Sequence, residues 1–111
     1  MTRKEIGKIK SIEFGIGGYQ DSMLGLTIGL GSSSWGVGDF KGFWGPEVKC
    51  GSRTQWTEKD RSKGYADSVR FLGDLLVKAK KKSVSDLTGV PVEVEFDGNC
   101  LKSWRILEEV L

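Results

Sequence analysis

Between Met23 and Gly31 apolar and small residues alternate with a period of two. Leu24, Leu26, Ile28 and Leu30 fall on one face, and Gly25, Thr27, Gly29 and Gly31 on the other. That alternation predicts a strand with one core-facing side. Its glycine side must lie against something bulky: an aromatic from a neighbouring strand, a helix, a second subunit or a ligand. Upstream, Ile12 and Phe14 alternate with Ser11 and Glu13, so Glu5 to Gly15 is expected to be a strand. Lys8 and Lys10 share the Ile12 face, which places its start at an edge or in partial exposure. Gly17-Gly18 and Gln20-Asp21-Ser22 form the loop between these strands; it either only connects them or also touches ligand. After a turn at Ser32-Ser33-Ser34, Trp35, Val37 and Asp39 alternate with Gly36, Gly38 and Phe40. Pro46 ends the ladder. The expected product is an antiparallel meander of three strands. Glu47 to Trp56 reads as a loop with a short strand at Val48-Lys49.

From Thr57 to Lys82 the period changes to 3.6, predicting a long helix. Thr57 suits the N-cap, with Asp60 at the third helical position. Tyr65, Val69, Leu72, Leu76 and Ala79 form the expected buried stripe, with Ala66 and Leu75 beside it. Gly64 and Gly73 interrupt the helix, and either admits a close backbone contact, Gly73 beside the sheet or Gly64 against another helix. Phe71 lies off this stripe and is a candidate for a pocket or a subunit interface. Lys78 and Lys80 to Lys82 suit the negative helix end. Ser85-Asp86-Leu87 is a single turn ended by Gly89. Val92, Val94 and Phe96 alternate with Glu93 and Glu95, and Asp97-Gly98 signals a hairpin. Leu101 to Val110 returns as the last strand, with Leu101, Ser103, Arg105 and Leu107 on one face. Arg105 is either paired with a carboxylate or placed to meet an anion. The fold class is therefore α+β: an antiparallel sheet, built from an N-terminal meander and a C-terminal hairpin, packed against one long helix.

At 111 residues the chain is expected to be a single domain. Hydrophobic residues make up 38%, a thin supply that favours burial through oligomers. A net charge of +2 argues against a dedicated DNA binder. With no histidine there is no Ser-His or Cys-His dyad. Cys50 and Cys100 have no metal-ligand spacing; they read as free thiols unless the fold brings them together as a disulfide, and neither metal nor cofactor is expected. No stretch is apolar enough for a leader or a membrane span, so the chain reads as soluble and cytoplasmic. Gly15-Ile16-Gly17-Gly18 precedes a strand rather than a helix, which argues against a dinucleotide fingerprint. What remains is equipment for binding: aromatics for stacking, arginines for phosphate, and Gln20 and Asn99 for polar edges.

Four segments carry a resemblance. They are Ile12-Glu13-Phe14-Gly15 with Gly17-Gly18-Tyr19-Gln20-Asp21, then Trp35 to Phe40, Trp56 to Arg61, and Phe96 to Leu107. In sequence and order they resemble the first Thoeris anti-defence family, small phage proteins that act as sponges. The resemblance covers nearly the whole chain. It implies a non-enzymatic protein of the host bacterial cytoplasm that sequesters cyclic ADP-ribose isomers made by TIR-domain proteins. For some members it implies cyclic di- or trinucleotides of CBASS defence as well, and assembly as a homodimer or a hexamer built from dimers. On this reading Phe71 stacks on adenine, and Asn99 and Arg105 contact ribose or phosphate. Gly18, Tyr19, Gln20 and Asp21 form a wall with Trp35, and Arg61 and Arg70 are further phosphate ligands. The alternatives are an enzyme that hydrolyses a cyclic nucleotide signal and an inhibitor that binds a defence protein.

Overall fold

A computed structural model describes residues 2–111. Five strands form one antiparallel sheet: β1 (Thr2–Gly17), β2 (Met23–Gly31), β3 (Gly36–Trp44), β4 (Pro91–Asp97) and β5 (Cys100–Ile106), in the order β3-β2-β1-β4-β5. One helix, α1 (Glu58–Ala79), lies on the sheet. The α+β class, the meander and the C-terminal hairpin are as expected from the alternation.

β1 is longer than expected and central rather than at an edge. Its first half, Thr2 to Lys8, pairs with β4, and its second half, Lys8 to Gly17, pairs with β2. The two halves are joined at a register shift between Ile9 and Ser11. This bulge lets Ile9 and Ile12 both face the core while Lys8 and Lys10 stay outside it. A strict period of two could not do that.

On β2 the core face is as predicted: Leu26, Ile28 and Leu30 are buried. The glycine face is not filled by an aromatic. Gly25 stands between Gly15 and Gly42, Gly29 between Ser11 and Gly38, and Gly31 opposite Gly36. At Gly25 a methyl group would strike the Lys41 carbonyl and the Gly42 Cα. The close approach demanded by these glycines is therefore strand against strand.

Thr57 caps α1 in a capping box: its hydroxyl accepts from Asp60 N–H, and the Asp60 carboxylate accepts from Thr57 N–H. The helix ends at Ala79 with Lys80 left-handed, earlier than Lys82. Its buried stripe is rotated from the expected one. Arg61, Ser68, Leu75 and Ala79 are buried, whereas Val69 is 60% exposed and Ala66 is exposed. The reason is steric. Gly64 sits over the Phe43 ring, where a Cβ would come within 2.7 Å, so the smallest residues face β3. Gly64 thus receives a side chain from the sheet rather than a helix, and Gly73 faces open space. Phe71 belongs to the buried side and packs on the core.

No strand forms at Val48-Lys49. β5 ends at Ile106, and Glu108–Val110 is a 3-10 turn. Trp104 and Ile106 face inward opposite Val94 and Val92, while Arg105 faces outward opposite Glu93. The sheet coils far enough for a side chain on one edge strand to reach the other: Trp104 Nε1 on β5 donates to Asp39 Oδ2 on β3 at 2.8 Å. Among the described residues, no helix is long and apolar enough to cross a membrane.

Candidate functional site

A concavity of about 610 Å³ runs between the free edge of β3 and the N-terminal half of α1. β3 contributes Phe40, Lys41, Gly42 and Phe43; Trp56 closes the end near the helix start. α1 contributes Asp60, Lys63, Gly64, Asp67, Ser68 and Phe71. Alternation along β3 sends Phe43 and Lys41 toward the helix and Phe40 to the opposite face, so aromatic surface borders the groove on both sides of the strand. Phe43 meets Trp56 edge-on at 5.5 Å, and Phe71 meets Trp104 at 6.0 Å. These contacts hold the rings in place before any ligand arrives.

The groove carries balanced charge. Lys63 Nζ donates to Asp67 Oδ2 at 2.8 Å, and this hydrogen bond holds the Asp67 carboxyl below its ordinary range. Lys41 Nζ lies 5.2 Å from the centre of the Phe71 ring and 3.7 Å from Asp39 Oδ2. Both ammonium groups are exposed enough to exchange these partners for an anion.

The proposed site residues do not form one site. Phe71 lines the groove. Arg61 does not: it is 6% exposed and structural. Its guanidinium donates to the Gly45 and Val48 carbonyls and stacks on Trp56 at 4.6 Å, stapling the loop after β3 to the helix. Arg61 Nε is 2.8 Å from Glu58 Oε1 in an ion pair that lacks hydrogen-bond geometry, while Nη2 bonds Glu58 Oε2 at 3.1 Å. Arg70 is exposed on the helix, close enough to Asp67 to help lower its pKa.

Gly18, Tyr19, Gln20 and Asp21 do not share a wall with Trp35. They lie at the start of β2 and Trp35 lies beyond its end, roughly 26 Å away for a strand of that length. Gln20 and Asp21 have positive φ, 51° and 53°, and Tyr19 stacks edge-on with Trp44. Trp35 packs into the core, edge-on to Phe96 at 5.4 Å and over Gly7. Asn99 is exposed on the β4–β5 hairpin.

Arg105 takes the carboxylate alternative. Its guanidinium donates to both oxygens of Glu109 at 2.9 Å and to Glu93 at 3.2 Å. The hydrogen bonds to Glu109, then those to Glu93, raise the Arg105 pKa. Reciprocally, Arg105 lowers the Glu109 carboxyl to about 2.

Phe40, Phe43 and Trp56 line the groove, although the sequence does not single them out for it. Phe43 and Trp56 carry one signal, an aromatic near each end of the loop that precedes the helix. Cys50 donates from Sγ to the Trp56 carbonyl at 3.0 Å, and Cys100 is exposed on β5. No protein-family model, curated protein or solved structure matches this chain.

Proposed function

We propose that this chain is a non-enzymatic sponge that sequesters a cyclic ADP-ribose isomer in the groove between α1 and β3. One observation carries the reading: Phe40, Phe43, Trp56 and Phe71 converge on a single open groove. Its volume falls in the range of about 300–1,000 Å³ in which small-molecule sites lie. Phe71 offers a face for adenine, and Lys41 and Lys63 stand at the rim for the pyrophosphate. The site then works by occupancy, holding the signal away from its effector in the host bacterial cytoplasm.

Assembly as a homodimer, or as a hexamer built from dimers, is part of the proposal. From Ser11 to Gly17, β1 has a partner on one side only. Phe14 and Ile16 on that segment are 43% and 61% exposed. An unpaired strand edge beside exposed apolar residues is a surface that a second copy can cover.

The test is capture and release. Protein is incubated with lysate containing a TIR-generated signal, freed of unbound ligand and heat-denatured, and the supernatant is analysed by mass spectrometry. Intact cyclic ADP-ribose isomer should reappear, and the Phe71→Ala protein should release little. Linear or hydrolysed product, or turnover of excess ligand, would establish the enzyme reading instead. The same spectra report cyclic di- and trinucleotides.

A further inference from the structure

The free edge of β3 brings main-chain donors and acceptors to the groove, and their direction follows from register. Ser32 N–H donates to Trp35 O, and Gly45 N–H donates to Ser22 O. Both pairs belong to the β2–β3 register, so the odd-numbered β3 residues direct N–H and C=O toward β2. Gly38, Phe40, Gly42 and Trp44 therefore direct theirs to the open edge. Two of these positions are already occupied. Phe40 N–H donates to Asp39 Oδ1 at 2.9 Å, and the Trp44 carbonyl accepts from Tyr65 Oη at 2.6 Å.

Between the two capped positions stands Gly42. Among the described residues no side chain takes its N–H or its C=O, and it lines the groove. A residue other than glycine cannot stand there, because a Cβ would meet the Phe40 ring at 2.8 Å and the Gly25 Cα at 2.8 Å. The Phe40 ring is thus folded over Gly42 on one side of the strand.

We infer that the Gly42 main chain reads the edge of a purine: its carbonyl accepts from the exocyclic amine and its N–H donates to the neighbouring ring nitrogen. An adenine edge presents that donor beside that acceptor, and the aromatic groove supplies the stacking surface. An added peptide strand is the other chemistry for a free edge. It requires alternate residues to be open, and the Phe40 amide is taken. This inference rests on the proposed nucleotide function and specifies how the same groove selects its base.

The probes are a cyclic ADP-ribose isomer closed through its riboses, which leaves the adenine edge free, and its 6-deamino analogue. The analogue removes the donor and adds no bulk. The wild-type protein is titrated with each while backbone amide signals are followed by NMR. With the parent ligand the Gly42 amide should shift and become protected from exchange. The analogue should bind at least ~10-fold more weakly, because the carbonyl it leaves behind is desolvated and unpaired. Binding of the analogue within about threefold of the parent, with loss of affinity in Phe71→Ala, overturns the base-reading inference and leaves the groove assignment standing. Parent binding that leaves the Gly42 amide unmoved does the same. Absence of parent binding overturns both. Protection of Gly38, Phe40 and Gly42 together by a co-purified peptide would show a strand as the occupant and overturn the base-reading inference.

Discussion

Gly64 and Gly73 are both interior residues of α1, and by helix propensity alone alanine at either should stabilise the helix equally, by about 1 kcal/mol. The structure predicts opposite outcomes. At Gly73 an added methyl would have nothing within 4 Å, so Gly73→Ala should realise that gain and raise Tm by about 3–6 °C. At Gly64 the methyl would lie 2.7 Å from Phe43 Cβ and Cδ2 and 2.8 Å from Cγ. These atoms are near the root of the side chain, where a rotamer change offers little relief. Phe43 is also held edge-on by Trp56 at 5.5 Å. Helix and strand must separate, at a cost of about 1–3 kcal/mol. Because the helix-propensity gain is common to both variants, their difference isolates this steric cost. Urea unfolding with a shared m-value measures it directly. The residues are about 13 Å apart along the helix, so the double variant should be additive. Gly64→Ala should also disturb ligand capture through Phe43, and Gly73→Ala should not. Equal stabilisation by the two substitutions would refute the packing of α1 on β3, and with it the shape of the groove.

Two further outcomes follow from the polar contacts. Arg61→Ala leaves the half-buried Val48 carbonyl without a donor, leaves the Gly45 carbonyl only its bond from Val48 N–H, and removes the guanidinium from Trp56; it should cost about 2–4 kcal/mol, with faster amide exchange across residues 45–56; unchanged stability would remove its role as a staple. The Glu109 carboxyl lies at about 2 when folded, below its ordinary 4.5. Its contribution is therefore complete above pH 4.5 and is lost as pH falls toward 2. Glu109→Gln should flatten the fall of Tm across that window, weakly because the pair is solvent-exposed, and a difference independent of pH would contradict the assignment.

How far the sequence can be read depends on whether the deciding contact is local. The Thr57–Asp60 box, the β4 alternation and the Asp97-Gly98 turn are set by neighbours within a few residues, and all three appear where the sequence places them. The helix stripe is misread because hydropathy alone puts Val69 inside. The space over Phe43 instead selects Gly64 by size, which only the facing strand determines, and Ser68 one turn on is buried. Arg61 is a charged residue that goes inside because two main-chain carbonyls and an indole ring wait for it there. The Gly18 to Asp21 loop and Trp35 fall close together in a meander read as a string of turns, yet β2 holds them at opposite ends. Phe71 reads from its spacing as an aromatic outside the core; it contacts the core and lines the groove as well.

Asp39 explains why the groove is built on this edge. Its carboxylate does two things at once: Oδ2 accepts from Trp104 at the far edge of the sheet, and Oδ1 accepts from Phe40 N–H at the near edge. Trp104 in turn supports Phe71. The coil of the sheet, made possible where glycine opposes glycine across β1, β2 and β3, brings these partners together. A ligand that stacks on Phe71 and bonds to Gly42 would therefore touch both arms of one network, the indole arm and the strand arm. Each arm holds the other in register, so the aromatic face and the main-chain donor–acceptor pair are fixed relative to one another before binding. That preorganisation matters more for a sponge than for an enzyme. A sponge gains nothing from release, and any ordering done in advance goes directly into slower dissociation.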